Sequence, residues 1–244
     1  MRSLKHLLAI AALAAAGTAS TWAVQFQGTA VGSWVNVVST DGTDIYSVAN
    51  NDAGATATFN WGTPATTTFN NQFTFNGVGS DGLPNWEAIA EAPFKLGDFT
   101  YRNGSTYYST GIDGVSLNVL LTIVDPAGLG ANNYLFNYSI VNTENTTGDP
   151  VLDGDIVKIL GQPSPTTFMY AGNEYTLDIL GFSSDGGATI RTDFSSPEGA
   201  TADAALYARI TEDIHGIPEV GSTLLLLGLA LLGTSAFRRF SQTR

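Results

Sequence analysis

Residues 115–123 read Val-Ser-Leu-Asn-Val-Leu-Leu-Thr-Ile, and residues 134–141 read Tyr-Leu-Phe-Asn-Tyr-Ser-Ile-Val. Every second position is large and apolar: Val115, Leu117, Val119, Leu121 and Ile123 in the first, Tyr134, Phe136, Tyr138 and Ile140 in the second. A period of two places those side chains on one face of a strand and leaves the other face to smaller or polar groups. Working outward, segments 58–61, 68–75, 99–101, 156–159, 174–182 and 206–210 share the enrichment in β-branched and aromatic residues. Turn pairs fall between them: Asp41-Gly42, Asp81-Gly82, Asn103-Gly104, Asp113-Gly114 and Asp185-Gly186-Gly187. No helical period is present between residues 24 and 211, and 200–205 is the one stretch where a short helix could form. Many strands with frequent turns predict an all-β domain, a β-sandwich or jelly roll, with little helix.

The two chain ends read differently from this middle. Arg2 and Lys5 precede a short apolar run, residues 7–16, and then small residues with Thr21 and Ala23 three and one positions before a cleavage point after Ala23. This is the pattern of a signal peptide over residues 1–23, with cleavage after Ala19 as an alternative. Near the other end, residues 224–236 (LLLLGLALLGTSA) are apolar, with Arg238, Arg239 and Arg244 behind them. Counted from Val220 to Phe237, the run rises about 27 Å as a helix, enough for a thin bilayer, with the arginines on the cytoplasmic side. Residues 24–216 are the expected β domain, and 217–244 a segment with a single transmembrane helix.

Charge and composition narrow the chemistry. The chain has 22 acidic and 10 basic residues. One acid, Glu219, lies outside 24–216, so that stretch holds 21 acids against Lys95, Arg102, Lys158, Arg191 and Arg209, a net charge of −16. This balance argues against binding nucleic acid or anionic lipid through a basic face. There is no cysteine, hence no disulfide and no thiolate chemistry. The two histidines, His6 and His215, lie outside the strand-forming region, which argues against a Ser-His-Asp device or a His-based zinc site within it.

Three candidate chemistries remain. A glycosidase needs only two placed carboxylates, and Glu87, Glu91, Glu144, Glu174 and Glu198 are candidates, with no spacing that selects a pair. Asn142, Glu144, Asp153 and Asp155 form the densest run of hard oxygen ligands and are candidate calcium ligands, although the loop spacing of a calcium-binding hand is not met. No other cofactor is implied. Trp34, Trp61, Trp86, Tyr101, Tyr107 and Tyr108 could form a sugar-stacking platform, although alternation favours the core for Trp61.

Two family resemblances bear on these readings. Residues Ile217-Pro218-Glu219-Val220-Gly221-Ser222-Thr223, the Leu/Gly-rich run and Phe237-Arg238-Arg239 resemble a PEP-CTERM sorting segment, departing from it where Val220 stands in place of the second proline. The resemblance implies processing by an exosortase in a polysaccharide-producing bacterium, with Pro218, Glu219, Arg238 and Arg239 as sorting residues and no catalytic residue. Trp61-Gly62-Thr63-Pro64, residues 96–104 (LGDFTYRNG), 112–123 (IDGVSLNVLLTI), 136–146, 153–157 and 175–182 resemble the choice-of-anchor K domain. That resemblance implies a β fold used with different surface anchors and no defined enzymatic activity. The expectation is an exported, non-enzymatic protein of the cell surface or extracellular matrix. It would be held at the inner membrane before sorting, with exosortase and extracellular polysaccharide as partners and no role for nucleic acid. The alternatives are a surface-displayed glycoside hydrolase using two carboxylates and a purely structural coat component.

Overall fold

Alternating burial shapes the strands in this computed structural model, which describes residues 23–39, 45–50, 56–79, 84–161 and 167–213. In chain order these residues form β1 (Gln25–Val38), β2 (Tyr46–Asn50), β3 (Thr56–Trp61), β4 (Asn71–Gly77), β5 (Trp86–Ile89), β6 (Pro93–Arg102), β7 (Gly114–Asp125), β8 (Gly130–Val141), β9 (Asp155–Ile159), β10 (Thr167–Tyr170), β11 (Asn173–Ser183), β12 (Asp193–Ser196) and β13 (Thr201–Asp213). A 3₁₀ turn, Tyr108–Thr110, is the sole helical element among the described residues. One sheet runs in the order β12-β9-β8-β7-β1-β5 and the other β10-β11-β13-β6-β4-β3-β2. Neighbours in both sheets are antiparallel.

The fold class expected from the alternation is therefore present, and the alternating residues of β7 and β8 named above are all buried. The short helix allowed at 200–205 is not: those residues open β13, where Ala204 lies opposite Phe99 and is buried. Alanine's helix preference is weak beside the burial gained by pairing with β6. Of the strand expected over 68–75, the opening residues do not join it: 68 and 69 belong to a run of bends, and β4 begins at Asn71.

Aromatic side chains from both sheets meet in one core. Trp34 of β1 lies 5.6 Å from Phe73 of β4, while Trp61 meets Phe73 edge-to-face at 4.6 Å and stacks on Tyr101 at 5.7 Å. Trp34 Nε1 donates to the Ala57 carbonyl at 3.0 Å, a bond between the sheets. The backbone of the same tryptophan exchanges two bonds with the Asn50 side chain, at 2.8 and 3.2 Å.

Strand β1, between β7 and the short edge strand β5, is built from a different alphabet. Its buried positions are Phe26, Gly28, Ala30, Gly32 and Trp34. The three small residues in the middle leave room for Phe75 and Trp86: a Cβ at Gly32 would run into the Phe75 ring, and one at Gly28 into the Thr122 carbonyl and Trp86. Ala30 donates its N–H to the Val78 carbonyl at 2.8 Å, so the backbone of β1 touches the far sheet directly. Gly77 permits that approach, since a Cβ there would overlap the Ala30 carbonyl.

The architecture has two distinct ends. Loops 62–70, 103–113, 142–154 and 197–200 lie at one, where β3 and β6 finish and β7, β9 and β13 begin. At the other, the turn 90–92 ties the start of β1 to the end of β13: Ala90 donates to the Val24 carbonyl, Glu91 to the Ile210 carbonyl, and Glu91 Oε1 accepts from the Glu212 amide. The first strand of the domain thus starts and the last one stops at the same end, bridged by this turn and opposite the four loops. The expected signal peptide, 1–22 of its 23 residues, and the sorting segment 217–244 lie outside the described residues. Among the described residues no helix is long and apolar enough to cross a membrane.

Gly77→Ala should lower stability by about 1–3 kcal/mol, the cost of forcing a methyl into a packed site where the obstacle is backbone. Gly111→Ala, which meets nothing closer than 3.5 Å, should stay within about 0.5 kcal/mol of the parent. Thermal unfolding of both variants checks the pair.

Candidate functional site

The four-loop end covers a buried polar network that joins the sheets. Tyr101, near the end of β6, is fully buried, and its hydroxyl oxygen lies 2.9 Å from Asp155 Oδ2, 3.3 Å from Asn103 Oδ1 and 3.4 Å from Asn71 Oδ1. Asn103 Nδ2 donates to the Ser196 carbonyl at 3.0 Å, and Ser196 Oγ donates to the Tyr101 carbonyl at 3.0 Å. Asn71 Oδ1 accepts the Gly104 amide at 2.8 Å. Tyr101 and Asn71 belong to one sheet, Asp155 and Ser196 to the other, so these bonds latch the layers together.

Proton bookkeeping defines the chemistry of this latch. A tyrosine hydroxyl has one proton to give, and three acceptor oxygens face it. With Asp155 ionised, the proton goes to Asp155 and Asn103 Oδ1 faces the hydroxyl without a donor. A protonated Asp155 can donate to Tyr101, which then donates to Asn103, and the chain is complete. Burial pushes the Asp155 carboxyl above its usual range, against the lowering effect of the bonds from Thr143 and Tyr101. Burial, then the Asp155 charge, pushes the Tyr101 hydroxyl well up.

The expected calcium ligands serve the protein itself. Asp155 Oδ1 accepts the Thr143 amide at 2.8 Å. Asp153 Oδ1 accepts the Thr147 amide at 3.0 Å and its hydroxyl at 2.8 Å, while Oδ2 accepts the Gly148 amide at 2.9 Å. Burial would raise the Asp153 carboxyl, but these bonds outweigh it and hold the group below its usual range. Asn142 donates to the Ile112 carbonyl at 2.9 Å and Glu144 is exposed. Among the described residues no three acidic or histidine side chains gather as a metal centre would require. Two short carboxylates spaced by a glycine fold loop 142–154 by capping its amides, as aspartates do in turns.

Of the five glutamates considered for hydrolysis, two reach this end, the exposed Glu144 and Glu198. Glu198, half-buried, is pushed above its usual range by burial and by the Asp155 charge, against bonds from Asn145 and Ser105. Its Oε1 is buried without a protein partner. Glu87 instead accepts from Gln27 on an exposed face, and Glu91 holds the opposite end together. The structure thus brings Asp155 and Glu198 together across 43 residues of sequence, with no motif to announce it. Asp155 points inward, however, and both its oxygens are engaged, which is the wrong presentation for attack on a glycan.

The six aromatic candidates separate sharply. Trp34, Trp61, Trp86 and Tyr101 are core residues, whereas Tyr107 is 56% and Tyr108 87% exposed. The backbone beneath those two is fixed: Tyr107 donates to the Thr63 carbonyl, its own carbonyl accepts from both the amide and hydroxyl of Thr110, and Thr110 Oγ1 accepts the Thr63 amide. Ala65 donates to the Ser105 carbonyl at 2.7 Å. Away from the loop end, a cleft of about 260 Å³ is lined by Phe182, Asp185, Thr189, Arg191 and Asp193 among others. Its acids are engaged as well: Asp185 Oδ1 accepts from the Thr189 amide and the Ser183 hydroxyl, which hold its carboxyl down at about 2, and Asp193 lies 3.6 Å from Arg191.

No family model matches the chain, and no curated protein matches it.

The buried latch sets a pH dependence. Because the Asp155 carboxyl is raised on folding, the folded chain keeps a proton that the unfolded chain, with a carboxyl near about 3.9, has already lost. Its contribution to stability therefore falls as pH rises from about 4 through the folded value. Asp155→Asn imitates the protonated form, since the amide donates to Tyr101 while its oxygen accepts from Thr143. The melting temperature of Asp155→Asn relative to the parent should climb with pH above about 4. A difference that shrinks with rising pH would contradict the raised carboxyl.

Proposed function

We propose that the chain is an exported, non-enzymatic protein of the cell surface or extracellular matrix, sorted by an exosortase at its PEP-CTERM-like segment. The observation that carries this reading is the polarity of the β domain. Its first strand begins at Gln25 and its last ends at Asp213, both on the end away from the four loops and bridged by the 90–92 turn. A domain whose terminal strand runs directly toward residues 217–244 can be tethered or released there without disturbing its core. The loop end is then the face it presents.

The inward latch supports the non-enzymatic reading. Its carboxylates and amides bond to one another and to loop backbone, so they serve folding before any ligand. We read the two curled sheets as a β-sandwich of jelly-roll type and as the kind of anchor-independent module the choice-of-anchor K resemblance implies. The acidic surface, net −16 over residues 24–216, suits solubility in a matrix and repels anionic polymers.

Sorting makes a definite prediction about mass. Protein recovered from its native host should lack residues 224–244, and the Pro218→Ala, Glu219→Ala double variant should retain them. Mature protein that still carries 224–244 would point to a permanent single-span anchor and contradict sorting by cleavage.

A further inference from the structure

Tyr107 and Tyr108 sit where a presented binding face would be, and their exposure has no structural explanation. Large aromatic side chains dominate burial in this fold, with twelve of the largest side chains fully buried, four of them tyrosines. Here two consecutive tyrosines instead point to solvent from a three-residue turn. The sequence spends considerable structure on holding them: the Thr110 hydroxyl ties that turn to Thr63 and Tyr107, and a bridge joins Pro64 to Thr106. Thr110 and Ser105 beneath are themselves buried. Exposed rings on a fixed backbone lose little conformational freedom when something stacks on them.

The surroundings indicate what would stack. In the neighbouring loop Asn145 is exposed and donates toward the buried Ser105 Oγ at 3.5 Å. An exposed amide together with tyrosine faces and their phenol hydroxyls matches the alternation of apolar C–H faces and hydroxyls on a pyranose ring. Residues 24–216 carry a net charge of −16, and the nearby cation Arg102 is turned to the Asn70 side chain and the Phe69 ring, so a polyanion is disfavoured. Distance matters too. β13 runs 13 residues from the loop end to the tethered end, about 40 Å at strand rise, so the tyrosines stand well clear of a membrane surface.

We propose that the turn carrying Tyr107 and Tyr108 is the binding site for an uncharged extracellular polysaccharide. The proposal rests on the surface-protein reading and gives that reading its ligand class. Stacking on the two rings supplies the contact area, and the exposed Asn145 amide supplies hydrogen bonds to ring hydroxyls.

The test is affinity electrophoresis of the full chain, in detergent, through gels containing dextran, mixed-linkage β-glucan, galactomannan or glucomannan, with alginate as the anionic control. At least one neutral polymer should retard the protein and alginate should not. Tyr107→Ala, Tyr108→Ala should weaken that retardation at least about tenfold, the equivalent of ~1.4 kcal/mol, with the melting temperature unchanged. Tyr107→Phe, Tyr108→Phe should retain most of it, because the rings remain. Retardation by alginate alone, by no polymer, or equally in the alanine double variant would each overturn the proposal. None of those results would alter the mass of the mature protein, so a failure here is separable from a failure of the sorting reading.

Discussion

The bond from Tyr101 to Asp155 is the contact on which the loop end depends. It is buried, it crosses between the sheets, and it sits where four loops converge. An unpaired carboxylate at that depth would cost about 1–3 kcal/mol or more, so the network around it is held to one arrangement. Thr143 must stand over Asp155 Oδ1, which fixes the start of loop 142–154. Asn103 must reach Ser196, which fixes the start of loop 103–113 against the end of β12. Asn71 must face Gly104, which brings in the start of β4. From these anchors the outer turn bearing Tyr107 and Tyr108 inherits its position through Ser105, Thr63 and Thr110.

At the opposite pole the governing constraint is close backbone approach. Ala30 can bond to Val78 because Gly77 has no side chain, and Phe75 fits because Gly32 and Gly97 face its ring. The two constraints divide the labour. Glycines let the sheets curl together where the first and last strands lie, and a polar latch closes them where the loops are. Between the two, the aromatic cluster around Phe73, Trp61 and Trp34 fills the core.

How much of this was legible in the sequence follows from the same physics. β7 and β8 declare themselves because their inward positions are large and apolar without exception. β1 does not, although it is the longest strand: Gly28, Ala30 and Gly32 are small because Phe75 and Trp86 already occupy the space, and small residues carry no periodic signal. The alanines of 200–205 invite a helix only until Phe99 is known to lie across from Ala204. Asp153 and Asp155 stood out as a cluster of oxygens. That each would be satisfied by threonines a few residues upstream depends on loop geometry, and the partnership of Asp155 with Tyr101 and Glu198 joins positions far apart in the chain.

The central claim is that the latch, rather than the loops themselves, orders the presented end of the domain. Hydrogen exchange measured by mass spectrometry on the full chain, parent against Tyr101→Phe, tests it most directly. The substitution keeps the ring in the core and removes the hydroxyl that bonds to Asp155. The account predicts faster exchange in 103–113 and 142–154, with the 90–92 turn and the start of β1 unchanged. Equal exchange in the two proteins, or a uniform acceleration across both ends, would contradict it.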